Sequence, residues 1–238
     1  MFDFTGRVVV VAGAAGNLGE AVARAFDEAG ARLVLLDRGS DRLAALYPQW
    51  ARAGHHLLLP GVDAADEASV AAAVGTALER LGRIDVLANT VGGWRGGALI
   101  DDAALQTWDL LHDLNARTAL ILSRAVAPAM LEQGEGKIVH TAARAALAGS
   151  ARSAAYSASK AAVVRLVEGL AAELGPKGIN VNCVLPGTID TPQNRAAMPK
   201  ADPGRWVPPG AIAQVFLFLA SEAARPINGA AIPVYGQS

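Results

Sequence analysis

Apolar positions along the chain follow two alternating patterns, short β-branched runs and longer stretches with helical spacing. Residues 7–12 are typical of a strand buried on both faces, and residues 20–29 of a helix. The remaining strands are predicted at 32–36, 56–62, 84–88, 137–141, 180–185 and 231–234, and the remaining helices at 42–52, 69–81, 105–130 (as one helix or two), 154–174 and 211–220. This alternation predicts an α/β fold, a Rossmann-type doubly wound parallel sheet, in a single domain over residues 1–238.

One long stretch, residues 186–209, carries neither pattern. It follows the predicted strand at 180–185, and ligands of open α/β sheets bind beyond the carboxyl ends of the strands. Residues 186–209 are therefore predicted to form a lid over a substrate.

The composition narrows the class of protein. Hydrophobic residues make up 52% of the 238 positions, which suffices for a sizeable core, and the formal net charge of −1 gives no indication of a nucleic-acid or membrane partner. The chain opens directly into the apolar run of residues 8–11, with no basic leader and no apolar run of about 18 residues. These features predict a soluble cytoplasmic protein.

One cysteine and four histidines are the candidates for thiol and metal chemistry. Cys183 lies among apolar residues, which indicates a buried structural thiol, and a lone cysteine fits a reducing compartment. The histidines do not have the spacing of metal ligands, so no metal site is predicted.

A glycine-rich turn follows the first predicted strand and leads into a helix. Its candidate cofactor residues are Gly13, Gly16, Asn17, Leu18 and Gly19. Glycines let the backbone approach a pyrophosphate, and the start of the helix offers it free N–H groups. Asp37 ends the second strand, where an acidic side chain accepts hydrogen bonds from the adenosine ribose and repels a 2′-phosphate. The turn therefore predicts an NAD site, the alternative being a tight strand-to-helix turn with an unrelated helix cap.

Tyr156 and Lys160 lie four residues apart on the predicted helix at 154–174, so they face the same side one turn apart. A free tyrosine has a pKa of about 10, and a nearby ammonium lowers it. Such a pair in a cleft predicts a proton donor or acceptor. The alternative is a half-buried tyrosine beside a lysine whose stem covers apolar surface.

These features occur in the order and spacing of one known family. The matching residues are Gly13 to Gly19, Asp63, Asn89, Asn115, Tyr156, Lys160, and the run from Pro186 to Thr191. The chain resembles the short-chain dehydrogenase/reductase family along nearly its whole length. The resemblance implies an NAD(P)-dependent oxidoreductase that acts on a small-molecule substrate. It also implies that the protein forms a homo-oligomer, either a dimer or a tetramer.

The resemblance also implies roles for individual residues. Tyr156 would exchange the proton, Lys160 would bind the nicotinamide ribose and lower the pKa of Tyr156, and Asn115 would organise a water relay. The implied cofactor contacts are Asp63, Asn89, Gly92, Tyr156, Lys160, Pro186, Gly187, Ile189 and Thr191. The run from Pro186 to Thr191 would bind the carboxamide.

Two positions depart from the family pattern. The middle glycine of the family's common turn is Asn17 here, with a glycine at Gly16 instead. The family's catalytic serine usually lies 13 residues before the tyrosine, and that position is Ala143, which cannot donate a hydrogen bond to a substrate oxygen. The candidate substitutes are Thr141, Ser150 and Ser153.

Both departures resemble the dihydropteridine reductase branch of the family. The shared segments are the glycine turn, the loop from Gly92 to Gly97 with Trp94, the segment from Ala143 to Leu147, and the run from Leu185 to Pro208 with Asn194. The likeness implies NADH and a quinonoid dihydropterin stacked on Trp94, in a pocket with Ala143 and Asn194. Asp63 and Asn115 are more like the general family. The alternatives are a reductase or dehydrogenase of a carbonyl or alcohol, and a catalytically degraded protein that senses NAD.

Overall fold

The computed structural model describes residues 2–96 and 104–237. Its strands are β1 (Val8–Ala12), β2 (Arg32–Asp37), β3 (Leu57–Pro60), β4 (Val86–Asn89), β5 (Gly136–Thr141), β6 (Ile179–Pro186) and β7 (Ala231–Val234). Its α-helices are α1 (Asn17–Glu28), α2 (Arg42–Leu46), α3 (Pro48–Ala53), α4 (Glu67–Leu81), α5 (Ala104–Leu111), α6 (Thr118–Gln133), α7 (Ala154–Leu174), α8 (Pro192–Ala197) and α9 (Pro209–Ala220). Each predicted strand overlaps one of the observed strands.

The strands form one sheet in the order β3-β2-β1-β4-β5-β6-β7, and every neighbouring pair is parallel. The predicted doubly wound parallel sheet is therefore confirmed. The strand order reverses at β1, which has β2 on one side and β4 on the other. In such sheets this reversal opens a crevice at the carboxyl ends of the strands, where ligands bind.

Both faces of the sheet are buried. Val9 and Val11 of β1 pack with residues of α1 and α9, and Val8 and Val10 pack with residues of α4 and α6. A parallel strand covered on both faces needs apolar side chains at every position, which explains the continuous valine run. Within residues 2–96 and 104–237, no helix is long and apolar enough to cross a membrane.

Two predicted helices differ from the observed ones. The pattern at 42–52 forms two helices, because Pro48 lacks a backbone N–H and begins α3 instead of continuing α2. The pattern at 105–130 forms α5 and α6, which are joined without a loop by the π-helical segment His112–Arg117. Such wide turns are frequent at functional sites, and this one carries Asn115.

Residues 186–209, predicted as irregular, contain α8 and the 3₁₀ turn Pro203–Arg205. The hydroxyl of Thr191 accepts a hydrogen bond from the N–H of Asn194 at 3.1 Å and so caps α8. The sequence did not predict α8 because six residues are too few to show a helical period.

Candidate active site

The glycine turn between β1 and α1 depends on close backbone contacts. Gly13 has a φ of +77°, and a Cβ there would lie 3.0 Å from the hydroxyl oxygen of Thr90. A Cβ at Gly19 would lie 2.0 Å from the carbonyl oxygen of Gly13, so both positions require glycine. Gly16 is the N-cap of α1, and Leu18 packs into the core. Of this turn, Gly13 and Gly16 line a cavity.

Asp37 lies beside this turn, at the end of β2. Its carboxylate accepts hydrogen bonds from the backbone N–H groups of Ala15, at 3.0 Å, and Gly39, at 2.9 Å. The guanidinium of Arg42 donates to the carbonyl of Ala15 at 2.8 Å. Arg38 lines the same cavity as Asp37. This rim therefore carries one carboxylate and two guanidinium groups.

A cavity of about 540 Å³ lies beyond the carboxyl ends of β1, β2, β3 and β4. Its wall includes the predicted cofactor residues Gly13, Gly16, Asp37, Asp63 and Gly92. The carboxylate of Asp63 accepts a hydrogen bond from the N–H of Ala65 at 2.9 Å, which fixes the turn after β3. Glycines on the cavity wall together with the carboxylate of Asp37 fit a dinucleotide.

A larger cavity, of about 790 Å³, lies at the opposite, amino-terminal edge of the sheet. Arg7 and Asp85 on its wall form an ion pair at 2.8 Å, and the ammonium of Lys137 donates to the side chain of Asn180 at 2.7 Å. These polar groups are satisfied by one another, and ligands of doubly wound sheets bind at the carboxyl edge. The smaller cavity is therefore the better candidate for a cofactor.

Lys160 is buried on α7, with 3% of its surface exposed. Its ammonium donates a hydrogen bond to the carbonyl of Thr141, the last residue of β5, at 2.8 Å. The hydroxyl of Thr141 in turn donates to the carbonyl of Asn89 at 2.8 Å. Burial lowers the pKa of Lys160 to about 8. The ends of β4 and β5 thus fix the position of the ammonium group.

Tyr156 lies on α7 one turn before Lys160, as the spacing predicts. Burial raises the pKa of Tyr156 to about 12. The expected lowering of this pKa by Lys160 is not found, because burial disfavours both charged forms and the ammonium is bonded to the Thr141 carbonyl. The neutral phenol is therefore the stable form of Tyr156 within this protein.

Asn115 is buried in the π-helical segment and connects two parts of the site. Its Oδ1 accepts a hydrogen bond from the N–H of Gly93 at 2.9 Å, and its Nδ2 donates to the carbonyl of Gly93 at 3.1 Å and to the hydroxyl of Ser159 at 3.0 Å. Ser159 donates to the carbonyl of Tyr156 at 2.8 Å. The segment thereby ties the loop after β4 to the first turn of α7.

At Gly92 the loop after β4 lies close to the side chains of Lys160 and Asn115. A Cβ at Gly92 would lie 2.8 Å from Nζ of Lys160 and 2.9 Å from Oδ1 of Asn115. Asn89 begins this loop, and its buried Oδ1 accepts a hydrogen bond from the N–H of Val91 at 3.0 Å. The side chain of Asn89 therefore holds the loop from inside the protein.

Ala143 is 7% exposed at the start of the 3₁₀ turn that follows β5, and it has no side-chain donor. Of the candidate substitutes, Thr141 already uses its hydroxyl proton on the carbonyl of Asn89. Ser150 is exposed, and Ser153 precedes α7 without capping it through its side chain. Thr141 therefore does not replace the missing serine as a donor.

Trp94 lies in the loop after β4 and is 64% exposed. A Cβ at Gly96 would lie 2.6 Å from the indole of Trp94 and 3.0 Å from the carbonyl oxygen of Arg152. The indole is therefore beside the turn that enters α7, a few residues from Tyr156. Gly97, which ends the predicted tryptophan-bearing loop, lies outside the described residues.

The segment after β6 is held by hydrogen bonds to backbone carbonyls. Pro186 ends β6, and the N–H of Gly187 donates to the carbonyl of Val234 at 3.0 Å. Nδ2 of Asn194, a predicted substrate contact, donates to the carbonyl of Ile189 at 2.8 Å. This amide group thus stabilises the segment itself.

One contact joins this segment to the glycine turn. Nδ2 of Asn17 donates to Oε1 of Gln193 in α8 at 2.8 Å, and both side chains are exposed. Asn17 is the position where the family's common turn has glycine. The residue that replaces this glycine is therefore hydrogen-bonded to the predicted lid.

His140 lies in the core behind the site, and the sequence analysis did not single it out. It is fully buried, Nδ2 of Asn89 donates to its Nδ1 at 3.0 Å, and its Nε2 donates to the hydroxyl of Ser123 at 2.9 Å. The proton must be on Nε2, because the Ser123 hydroxyl gives its own proton to the carbonyl of Ala119. Burial, and then the charge of Lys160, lower the pKa of His140 to about 3. A lone histidine in a predicted strand gives no indication of these partners.

Ser159, Arg42 and Gln193 were also missed. Ser159 belongs to the same short stretch as Tyr156 and Lys160, so the helical spacing places it near them, but only the fold reveals its bond to Asn115. Nothing in the sequence around Arg42 or Gln193 indicates a contact with the glycine turn.

Comparisons with known proteins agree with the geometry. The family model described as short chain dehydrogenase matches residues 7–202. The chain is 37% identical to D-threitol dehydrogenase of Mycolicibacterium smegmatis, over 99% of this chain and 94% of that protein. It is 34% identical to meso-2,3-butanediol dehydrogenase of Serratia marcescens, over 98% of this chain and 94% of that protein.

A solved structure shares the fold over nearly the whole chain. The crystal structure of gox2181 superposes with a TM-score of 0.92 at 32% identity, covering 98% of this chain and 96% of that one. None of these three proteins is named a dihydropteridine reductase, so the special likeness to that branch is unsupported. A family model over most of the chain and relatives above 30% identity lead to one conclusion: the chain is an NAD(P)-dependent oxidoreductase that belongs to the short-chain dehydrogenase family.

Proposed function

We propose that this oxidoreductase interconverts an alcohol and the corresponding carbonyl compound. The observation that carries the proposal is the position of Lys160, which is bonded to Thr141, lies one turn from Tyr156 and is next to Gly92 of the cavity wall. Relatives named D-threitol dehydrogenase and meso-2,3-butanediol dehydrogenase support an alcohol or carbonyl substrate over a pterin.

In this proposal Tyr156 exchanges a proton with the substrate oxygen. Bound NAD(P) supplies the nicotinamide carbon that accepts or donates the hydride. Because burial raises the pKa of Tyr156 to about 12, its phenol is ready to donate a proton to a carbonyl. Lys160 binds the nicotinamide ribose, and Asn115 organises a water relay beside it.

We propose NAD rather than NADP as the cofactor. The carboxylate of Asp37 lies on the cavity wall where the adenosine ribose of a dinucleotide would bind, and it would repel a 2′-phosphate. The backbone of Gly13 and Gly16 would face the pyrophosphate. Arg38 is the opposing influence, since its guanidinium can attract the phosphate.

The segment at 186–209 is proposed to close over the bound molecules. Pro186, Gly187, Ile189 and Thr191 would lie over the carboxamide. A homo-oligomer, dimer or tetramer, and a cytoplasmic location remain predictions. Leu105 on α5, 76% exposed, and Leu120 on α6, 47% exposed, support the oligomer, because a subunit interface would bury them.

Dihydropteridine reductase activity is the second candidate. The exposed indole of Trp94 and the absence of a donor at Ala143 favour it. A quinonoid dihydropterin is flat and already a good hydride acceptor, so it would stack on the indole and need less polarisation than a ketone.

A steady-state screen tests the proposal. D-threitol, meso-2,3-butanediol and other secondary alcohols are offered with NAD⁺ or NADP⁺, and their ketones and quinonoid dihydropterin with NADH. We expect turnover of an alcohol–ketone pair above that of the pterin. Turnover of the pterin alone would favour the second candidate, and NADH binding without any turnover would favour a catalytically degraded protein that senses NAD.

A further inference from the structure

Three large apolar side chains are exposed where the chain leaves neighbouring strands. Trp94 follows β4, Leu147 follows β5 and is 61% exposed, and Met198 follows β6 and is 39% exposed. These strands are adjacent and parallel, so their carboxyl ends share one edge of the sheet. We call these three side chains the apolar rim.

Local contacts place the parts of the rim near Tyr156. The indole of Trp94 lies beside the carbonyl of Arg152, four residues before the tyrosine. Leu147 ends the 3₁₀ turn that begins after Ala143, and this turn packs against α7. Trp94 is therefore near the start of α7, and the turn that ends at Leu147 contacts the same helix.

Met198 supplies the third side from the proposed lid. It ends α8, and its N–H donates to the carbonyl of Asn194 at 2.9 Å.

Three polar side chains close to the rim are used inside the protein. Thr141 and Asn194 donate to backbone carbonyls, and Oε1 of Gln193 accepts from Asn17. Ala143 has no donor to offer. These three groups are therefore not available to replace the hydrogen bonds to water that a substrate with several hydroxyl groups would give up, which lowers its affinity.

We propose that the substrate is a secondary alcohol, or its ketone, whose carbinol carbon bears a flat apolar group that lies on the apolar rim. This inference rests on the proposed function and names its substrate class. In reduction the carbonyl carbon takes a hydride with its electron pair from NADH, the π bond of C=O breaks, and the substrate oxygen takes the proton of the Tyr156 phenol, which is then replaced from water. Oxidation is the reverse of this step. The single substrate oxygen meets Tyr156, and the flat group meets Trp94 and Leu147.

Substrate competition tests the class directly. With NAD⁺, kcat/KM for 1-phenylethanol is expected to exceed that for D-threitol and meso-2,3-butanediol by about 10-fold to 10²-fold, the usual discrimination from apolar pocket contacts. Trp94→Ala and Leu147→Ser should each lower the ratio of kcat/KM for 1-phenylethanol to kcat/KM for 2-butanol by about tenfold. Leu131→Ser is the matched control, because Leu131 is exposed near the end of α6 that leads to the opposite edge of the sheet.

A binding measurement separates substrate recognition from chemistry. 2-Phenylpropan-2-ol has no carbinol hydrogen, so it cannot be oxidised. Its dissociation constant in the presence of NAD⁺, measured by calorimetry, should rise about tenfold in Trp94→Ala and stay unchanged in Leu131→Ser.

The possible failures are distinct. Preference for D-threitol or meso-2,3-butanediol, or equal use of both classes, would overturn the inference and leave the proposed function intact. Cofactor binding without turnover of any alcohol or ketone would overturn both. The location of the flat group on the apolar rim would be overturned by a third result. In that result, Trp94→Ala and Leu147→Ser change neither kcat/KM for 1-phenylethanol nor the dissociation constant of 2-phenylpropan-2-ol.

Discussion

The side-chain amide of Asn17 donates a hydrogen bond to Oε1 of Gln193 at 2.8 Å, which joins the glycine turn to the helix of the proposed lid. Asn17 replaces a glycine of the family's common turn. A chain with glycine at this position has no side chain there and could not make this hydrogen bond. A dinucleotide in the cavity would have its pyrophosphate near Gly16, beside this link. We expect the Asn17–Gln193 bond to open when the cofactor is released.

We therefore expect Asn17→Gly and Gln193→Ala each to raise the dissociation rate of NADH by about 2-fold to 10-fold, the equivalent of one hydrogen bond. Stopped-flow fluorescence of bound NADH measures this rate. Because the two side chains share one bond, the double variant should release NADH no faster than either single variant. Additive effects would mean that the two residues act separately.

The second prediction concerns cofactor choice. NADH should bind more tightly than NADPH by about 1–3 kcal/mol, because a 2′-phosphate would lie beside the carboxylate of Asp37. Asp37→Asn keeps the size of the side chain and removes its charge, so the difference should shrink. Dissociation constants for both cofactors decide it, with the exposed neighbour Asp41→Asn as the control. Tighter binding of NADPH by the unaltered protein would show that Arg38 outweighs Asp37.

Ala143→Ser tests the missing donor. A hydroxyl at this position would reach the same substrate oxygen as Tyr156 in the family pattern, and one such donor is worth about 10²–10³ in rate in an enzyme built to use it. In this chain we expect a smaller gain in ketone reduction, of about tenfold, and no gain with quinonoid dihydropterin. Ala145→Ser, two residues along the same turn, is the control. Equal gains in Ala143→Ser and Ala145→Ser would show that the gain does not come from a donor at position 143.

His140 predicts how stability depends on pH. Its pKa is lowered to about 3 in the folded protein, so the folded state favours neutral His140 and the unfolded state binds its proton first. Its contribution to stability is present above the unfolded pKa of about 6.5 and is lost as the pH falls toward 3, at about 1.4 kcal/mol per pH unit.

Urea unfolding between neutral and mildly acidic pH measures this slope. His140→Asn should reduce it, and some slope should remain, since burial also lowers the pKa of His56. His112→Asn, at a histidine that contacts neither His56 nor His140, is the control. An unchanged slope in His140→Asn would mean that His140 is not kept neutral.

The strands, the glycine turn and the Tyr156/Lys160 pair were predictable because their determinants are local. A valine run covered on both faces has one common structural explanation. Gly13 and Gly19 in the sequence indicate positions where the backbone makes close contacts. The i,i+4 spacing of Tyr156 and Lys160 places them on one face of a helix.

The remaining features depend on contacts between distant parts of the chain. His140 finds Ser123 only after β5 has packed against α6, and Asn17 finds Gln193 only after α8 has formed. The pKa of Tyr156 was predicted wrongly for the same reason. Spacing indicated a neighbouring ammonium, but it did not reveal that this ammonium would be buried and bonded to the carbonyl of Thr141.

Turnover of Tyr156→Phe is the most direct test of the account, because the central claim is that Tyr156 exchanges the substrate proton. The change removes only the hydroxyl, so the dissociation constant of NADH should stay within about twofold while kcat for the best alcohol or ketone falls by about 10²–10⁴. Lys160→Ala, as the comparison, should weaken both NADH binding and turnover. Near-full kcat in Tyr156→Phe with normal NADH binding would contradict the account, since the proton would then come from another group.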